Sequence, residues 1–295
     1  FPLIGTEDLN IPFTINNSLF EPTEPRDGIS LMYDNNIASQ TNCDIMLRAV
    51  SLYEQLLSFV GDNKDWNNLY NLARIKLPNK HSWIDTDWFK DNVLLPIRNK
   101  VLHTPIVDVI NGDRISIWNV YDEPQVYFPY AEKSTVREKI WSLLHKLYPE
   151  FTPIKEQINE WNTIVWKDCY KFSIEELSKE IESKNTISSL NGFIGISDEN
   201  DVIFLNAYYE LLNFENEHIK DIVVDKYQVI PNQLGEFKKK SELFIGKEID
   251  DELKNATSLI SIDPREYLIH ENAHTGQGIK YNIKKQNDII NDLNN

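Results

Sequence analysis

The sequence predicts a helix-dominated α+β protein. Three observations predict it. Apolar residues recur at spacings of three and four over many separate stretches, strand signals are short and gather at turn residues, and prolines or glycines end most of the periodic segments. At 295 residues the chain is long enough for two domains or one large one, and 41% hydrophobic with 26% charged residues is an ordinary globular composition.

The chain begins at Phe1 without an initiator Met, and its first residues read as the interior of a domain. Ile11, Phe13 and Ile15 alternate with polar residues as in a strand. A loop with Pro22, Pro25 and one arginine, Arg26, follows before Ile29 and Leu31 resume the apolar pattern. From Cys43 to Val60 the residues Ile45, Ala49, Leu52, Tyr53, Leu56, Leu57 and Val60 predict one helical face, ended by Gly61. A second helical stretch is expected over Trp66–Ile75, stopping before Pro78. A loop rich in tryptophan (Trp83, Trp88) leads to a helix over Val93–Val101. Asn111-Gly112, between IVDVI and RISIW, predicts a β-hairpin.

The pattern changes near Pro129. We therefore expect two subdomains, 1–130 and 131–295. In the second, Val136 to Leu147 forms a helical stripe ended by Pro149, and Ile154 to Val165 forms another beyond Pro153. Ser173 with Glu176 three residues later reads as a helix start. The stretch Asp201–Leu212 is helical in pattern, and a strand-turn-strand element is expected near 222–245, from Ile222–Ile230 and PNQLGEF. Helices are expected over Asp250–Leu259 and Pro264–His274, with a last one from Ile279 to Leu293.

Charge and motifs narrow the chemistry. There are 30 basic and 46 acidic residues, a formal net charge of −16, which repels phosphate backbones and argues against nucleic acid as a partner. No apolar run reaches the roughly 20 residues of a membrane helix, and no signal peptide is visible, so a cytoplasmic protein is expected. Cys43 and Cys169 lack metal spacing and sit among helical residues, as buried thiols would. There is no P-loop, no dinucleotide fingerprint and no nucleophile elbow, and the ten glycines do not cluster. No phosphate cradle is therefore expected in this chain, and it should hold no cofactor of its own.

One local pattern matches a catalytic signature. His270-Glu271-Asn272-Ala273-His274 is HExxH, in which two histidines one helical turn apart bind zinc and the glutamate activates water. The continuation is unfavourable. Gly276 and Gly278 break the helix, Gln277 and Lys280 stand where a metzincin needs Gly and His, and no glutamate follows Glu271. Asp288 and Asp292 remain as third ligands. His81 with Trp83, Asp85, Asp87 and Trp88 reads either as a pocket lining or as a packed edge; His103 beside Pro105 reads as a loop or helix-end residue. Asp250-Asp251 complements the dipole of the helix it heads.

Several blocks together carry a family likeness: FPLIGTEDLNIPFTINNSLFEPTEPRDGI, VLLPIRNKVLHTPIV with the Gly-Asp turn, FP before REKIW, and above all YQVIPNQLGEFKKKSELF, IDDELKNA and DPREYLIH. From about Phe1 to His270 the chain resembles bacterial ATP-binding proteins with a sacsin-type histidine-kinase/chaperone ATPase domain. These belong to the GHKL group, which includes DNA gyrase and the ninety-kilodalton chaperones. The resemblance implies a transducer-like α/β first subdomain and a helical second one with a small β element. It implies an ATPase domain in cis upstream of Phe1, holding ATP and Mg, because the E-x-x-x-N helix and D-x-G-x-G loop are missing here. It also implies protein clients or partners, and a γ-phosphate sensor for which only Arg26 fits; a guanidinium binds phosphate oxygens bidentately. Asp27 beside it offers the alternative of a surface salt bridge. Two other functions stand beside this one: a zinc hydrolase using His270, His274 and Glu271, and a non-catalytic interaction scaffold.

Overall fold

A computed structural model describes residues 9–24, 28–34, 36–63, 65–215, 217–260, 263–275 and 279–292. The described chain is helix-dominated α+β, with only short strands. In chain order it forms α1 (Ile37–Asp62), α2 (Thr86–Phe89), α3 (Leu95–Leu102), β1 (Val107–Asp108), β2 (Arg114–Ile115), β3 (Phe128–Pro129) and α4 (Ser134–Leu147). Next come α5 (Ile158–Ile164), β4 (Lys171–Phe172), α6 (Ile174–Lys184), α7 (Ile187–Ile194), α8 (Ile203–Leu212) and α9 (Glu217–Lys226). The chain closes with β5 (Ile230–Pro231), β6 (Phe237–Lys238), β7 (Phe244–Lys247), α10 (Asp251–Ser258), β8 (Asn282–Lys285) and α11 (Gln286–Asp292).

Two compact units emerge. One comprises Phe1–Phe128 and Glu150–Lys171, the other Pro129–Pro149 and Phe172–Asn295. A single cut near residue 130 therefore misses that 150–171 returns to the first unit. The cause is a buried network. Trp161 on α5 is 1% exposed and packs on Tyr70 and Phe128. Its Nε1 donates to Gln157 Oε1, and Gln157 Nε2 donates to Asp108 Oδ2 at 2.9 Å. Asp108 also accepts from Arg114 Nε at 2.8 Å, and Arg114 reaches the carbonyls of Asn63 and Trp66. One polar chain thus ties α5, the β1–β2 hairpin and the end of α1 together.

In the first unit, Asn36 caps α1 by accepting from Ala38 N, and Met46, Val50, Tyr53, Leu57 and Val60 form its buried stripe. Leu52, expected on that stripe, is exposed. The opening residues do not form the expected strand. Among the described residues only isolated bridges occur there, Pro22 to Ile29 and Leu31 to Ile84, while the Phe13 ring packs at a tilt on Tyr53 with centroids 4.7 Å apart. Over Trp66–Ile75 only a 3-10 turn forms, Leu69–Ala73, because Asn68 is left-handed (φ 57°) and interrupts the chain before it.

The helix expected at Val93 starts earlier. Asp85 caps α2 by accepting from Asp87 N and Trp88 N, and helical backbone runs from Thr86 to Leu102. A wide turn, Lys90–Leu94, precedes Pro96, whose ring has no N–H to give a regular ladder. The hairpin forms around Gly112 (φ 88°), in the register Val107 to Ile115 and Asp108 to Arg114.

In the second unit, α4 buries Val136, Ile140, Leu143, Leu144 and Leu147 and ends before Pro149. Ser173 caps α6 by accepting from Glu176 N. Helix α7, which the sequence reading does not contain, runs from a Thr186 cap to Gly195 at φ 75°. The strand expected from Ile222 is helix α9 up to Lys226. Lys220, Val223 and Val224 are its buried side, with Tyr227 buried just past its end, three and four apart, the helical and not the strand period. β5 and β6 then pair antiparallel, Ile230 to Lys238 and Pro231 to Phe237. The helix expected over Pro264–His274 is only a 3-10 turn, Pro264–Glu266. β8, which pairs parallel to β7 from Phe244 with Asn282 to Lys247 with Lys285, replaces the first half of the expected last helix. No helix among the described residues is long and apolar enough to cross a membrane.

Candidate functional site

The HExxH segment folds as a turn. His270 N donates to Pro231 O and Ala273 N to His270 O. Asn206 on α8 then clamps the turn from outside, its Oδ1 accepting from His274 N at 2.8 Å and its Nδ2 donating to Asn272 O at 3.0 Å. A zinc-peptidase signature needs a helix to place both imidazoles on one face, and that helix is missing here. Glu271 is engaged by Lys254, whose Nζ lies 3.2 Å from it and 3.0 Å from Asp251. Burial lowers the His270 pKa and favours its neutral ring. Asp288 accepts from Lys285 N at the start of α11, and the side chain of Asp292 lies outside the described residues. Among the described residues, no cluster of three or more His, Cys, Asp or Glu side chains is arranged to hold a metal ion.

The other candidates have packing roles. His81 stacks on Trp83 at 4.8 Å, and Trp83 and Trp88 are buried, so this loop is a packed edge. His103 bridges Asn99 O and Asp122 Oδ1. Cys43 and Cys169 are free and buried, and burial pushes both thiols up to about 11.

Arg26 lies outside the described residues, but the shoulders of its loop are well defined. Asn42 is fully buried; its amide oxygen accepts from Glu21 N, and its Nδ2 donates to the carbonyls of Glu21 and Ser30. Across the loop, Thr23 N donates to Gly28 O at 3.0 Å. Gly28 lies flat against Trp83, where an added Cβ would come within 2.5 Å of the ring. Only glycine fits that contact without moving a buried tryptophan.

The PNQLGEF block of the family likeness is organised by Asn232, which is completely buried. Its Oδ1 accepts from Leu234 N and Glu236 N, and its Nδ2 donates to Glu236 Oε2 and Glu266 O. Asn232 also makes a bridge to Ile269. PNQLGEF and DPREYLIH are therefore one hydrogen-bonded unit.

A cavity of about 590 Å³ in the second unit lies along α9. Tyr130, Ile174, Ile219, Ile222, Val223 and Tyr227 supply its apolar wall, and Glu132, Lys133, Glu175, Glu215 and Lys226 its charges. At one end Glu175 Oε1 accepts from Lys226 Nζ at 2.6 Å and from Tyr227 Oη at 2.5 Å. The hydrogen bond from Lys226, then that from Tyr227, holds the Glu175 carboxyl down at about 2, against an ordinary value of 4.5. Because the folded value is depressed, the stabilisation from this contact is complete above about pH 4.5 and fades as pH falls toward 2. Both groups are half exposed, so the contribution is small. Carboxyl-carbon NMR should show Glu175 titrating near 2, and Lys226→Met should move it up toward 4.5. A normal titration in the unaltered protein would show that the three groups do not meet in solution.

Sequence reading missed this cluster. Its members are 51 and 52 residues apart, and Lys226 and Tyr227 fell in a stretch read as strand. Comparisons with protein-family models, with curated proteins and with solved structures give no match.

Proposed function

We propose that this chain is the part of a chaperone-like GHKL ATPase that follows the nucleotide-holding domain and couples nucleotide state to a polypeptide partner. The observation that carries the reading is the Asn232 staple. It joins two of the blocks that carry the resemblance, PNQLGEF and DPREYLIH, in one hydrogen-bonded unit. The Arg26 loop adds support. Asn42 bonds both Glu21 and Ser30 and so holds together the two flanks of the segment that carries Arg26. In this reading ATP and Mg are held by the upstream domain in cis. This chain supplies the Arg26 guanidinium to the γ-phosphate, and the protein works in the cytoplasm.

Steady-state hydrolysis by the full-length protein tests it. Arg26→Ala should lower ATP turnover by about tenfold or more, with nucleotide affinity and the circular dichroism spectrum little changed. Unchanged turnover would remove Arg26 from the mechanism. A full-length sequence without an E-x-x-x-N helix and a D-x-G-x-G loop would remove the ATPase reading itself.

A further inference from the structure

The cleft along α9 has a definite chemistry. Ile219 and Ile222, three residues apart on α9, are 37% and 48% exposed over it, while Val223 and Ile174 are buried beneath. An apolar strip of that spacing is half of a helix-to-helix contact. The cations of the rim are already engaged: Lys226 by Glu175, and Lys133 by the carbonyl of Phe214 at 3.4 Å. Two rim carboxylates, Glu132 and Glu215, have no hydrogen-bond or ion-pair partner among the described residues. The unmet demand of the cleft is thus apolar surface along its wall and positive charge at its edge.

We propose that this cleft binds an amphipathic basic helix of a partner polypeptide, with aliphatic side chains against Ile219 and Ile222 and lysine or arginine side chains against Glu132 and Glu215. The net charge of −16 steers such a segment toward the protein, and the local carboxylates set where it docks. The proposal is independent of the ATPase reading, since it rests only on the described second unit.

The test uses the full chain and a fluorescent peptide of about 14 residues, with leucine at helical spacing on one face and lysine on the other. Anisotropy should show saturable 1:1 binding, and the same peptide with glutamate for lysine should bind about tenfold more weakly or worse. Ile222→Asp, at a half-exposed position of α9, should weaken the lysine peptide by about tenfold while leaving the circular dichroism spectrum unchanged. Glu132→Gln with Glu215→Gln should weaken it by about threefold or more, and the charge-matched control Glu199→Gln with Glu252→Gln should not. Equal binding of the two peptides, no effect of Ile222→Asp, or an equal effect of the control pair would overturn the proposal. So would self-association of the chain that Ile222→Asp abolishes, because the occupant would then be a second copy.

Discussion

Replacing Trp161 with alanine should cost the first unit about 3–5 kcal/mol, the range for deleting a buried aromatic side chain. Three losses add together here. The indole, 1% exposed, leaves a cavity between Tyr70 and Phe128. Gln157 loses the Nε1 donor above it. The Gln157–Asp108–Arg114 chain, which fixes the hairpin to α5, then has one end free to move. Native-state hydrogen exchange should report the loss at Ile106, whose N–H bonds Ile115 O, and at Ile110, whose N–H bonds Thr152 O. Trp161→Phe, which keeps a ring in the space, should cost about half as much or less. A loss below about 1 kcal/mol for the alanine variant would mean that α5 does not anchor residues 150–171 to this unit.

Asn232→Ala should be the most damaging single polar change in the second unit, at about 2–3 kcal/mol. The side chain satisfies two backbone N–H groups and one backbone carbonyl at a position with no access to water, and alanine leaves those groups unpaired. Asn232→Asp separates the contributions. It keeps both acceptor contacts to Leu234 and Glu236, but loses the donor to Glu266 O and sets a carboxylate beside Glu236, whose oxygen is 3.1 Å from Nδ2. It should therefore destabilise about as much as alanine. Exchange at Gly235, Phe237 and His270, whose N–H groups bond Asn232, Asn185 and Pro231 carbonyls, gives the measurement. If neither variant accelerates exchange there, PNQLGEF is not held by Asn232.

The two sites differ in how far the sequence revealed them. The HExxH pattern was plain in the sequence, but a five-residue pattern carries no information on whether its backbone is helical. Asn206, 66 and 68 residues away, binds it as a turn. The α9 cleft was invisible, because Glu175 and Lys226 are ordinary surface residues until the fold brings them to 2.6 Å. The β-branched residues of Ile222–Ile230 match a short strand run. Burial of Lys220, Val223, Val224 and Tyr227 on one side, a tertiary effect, selected the helix instead.

By itself the sequence determined the local events: the α+β class, the stripes of α1, α4 and α6, the Ser173 cap, the turn at Gly112 and the stop before Pro149. These depend on residues within about four positions of each other or on the backbone limits of Gly and Pro, so a linear pattern contains them. Only the tertiary structure decided that 150–171 returns to the first unit, that β7 pairs parallel to β8, that HENAH is a turn and that a charged cleft lies along α9. Each of those depends on burial and hydrogen bonds between residues tens of positions apart. Such contacts leave no periodic trace in the chain, because their energy comes from removing specific groups from water together.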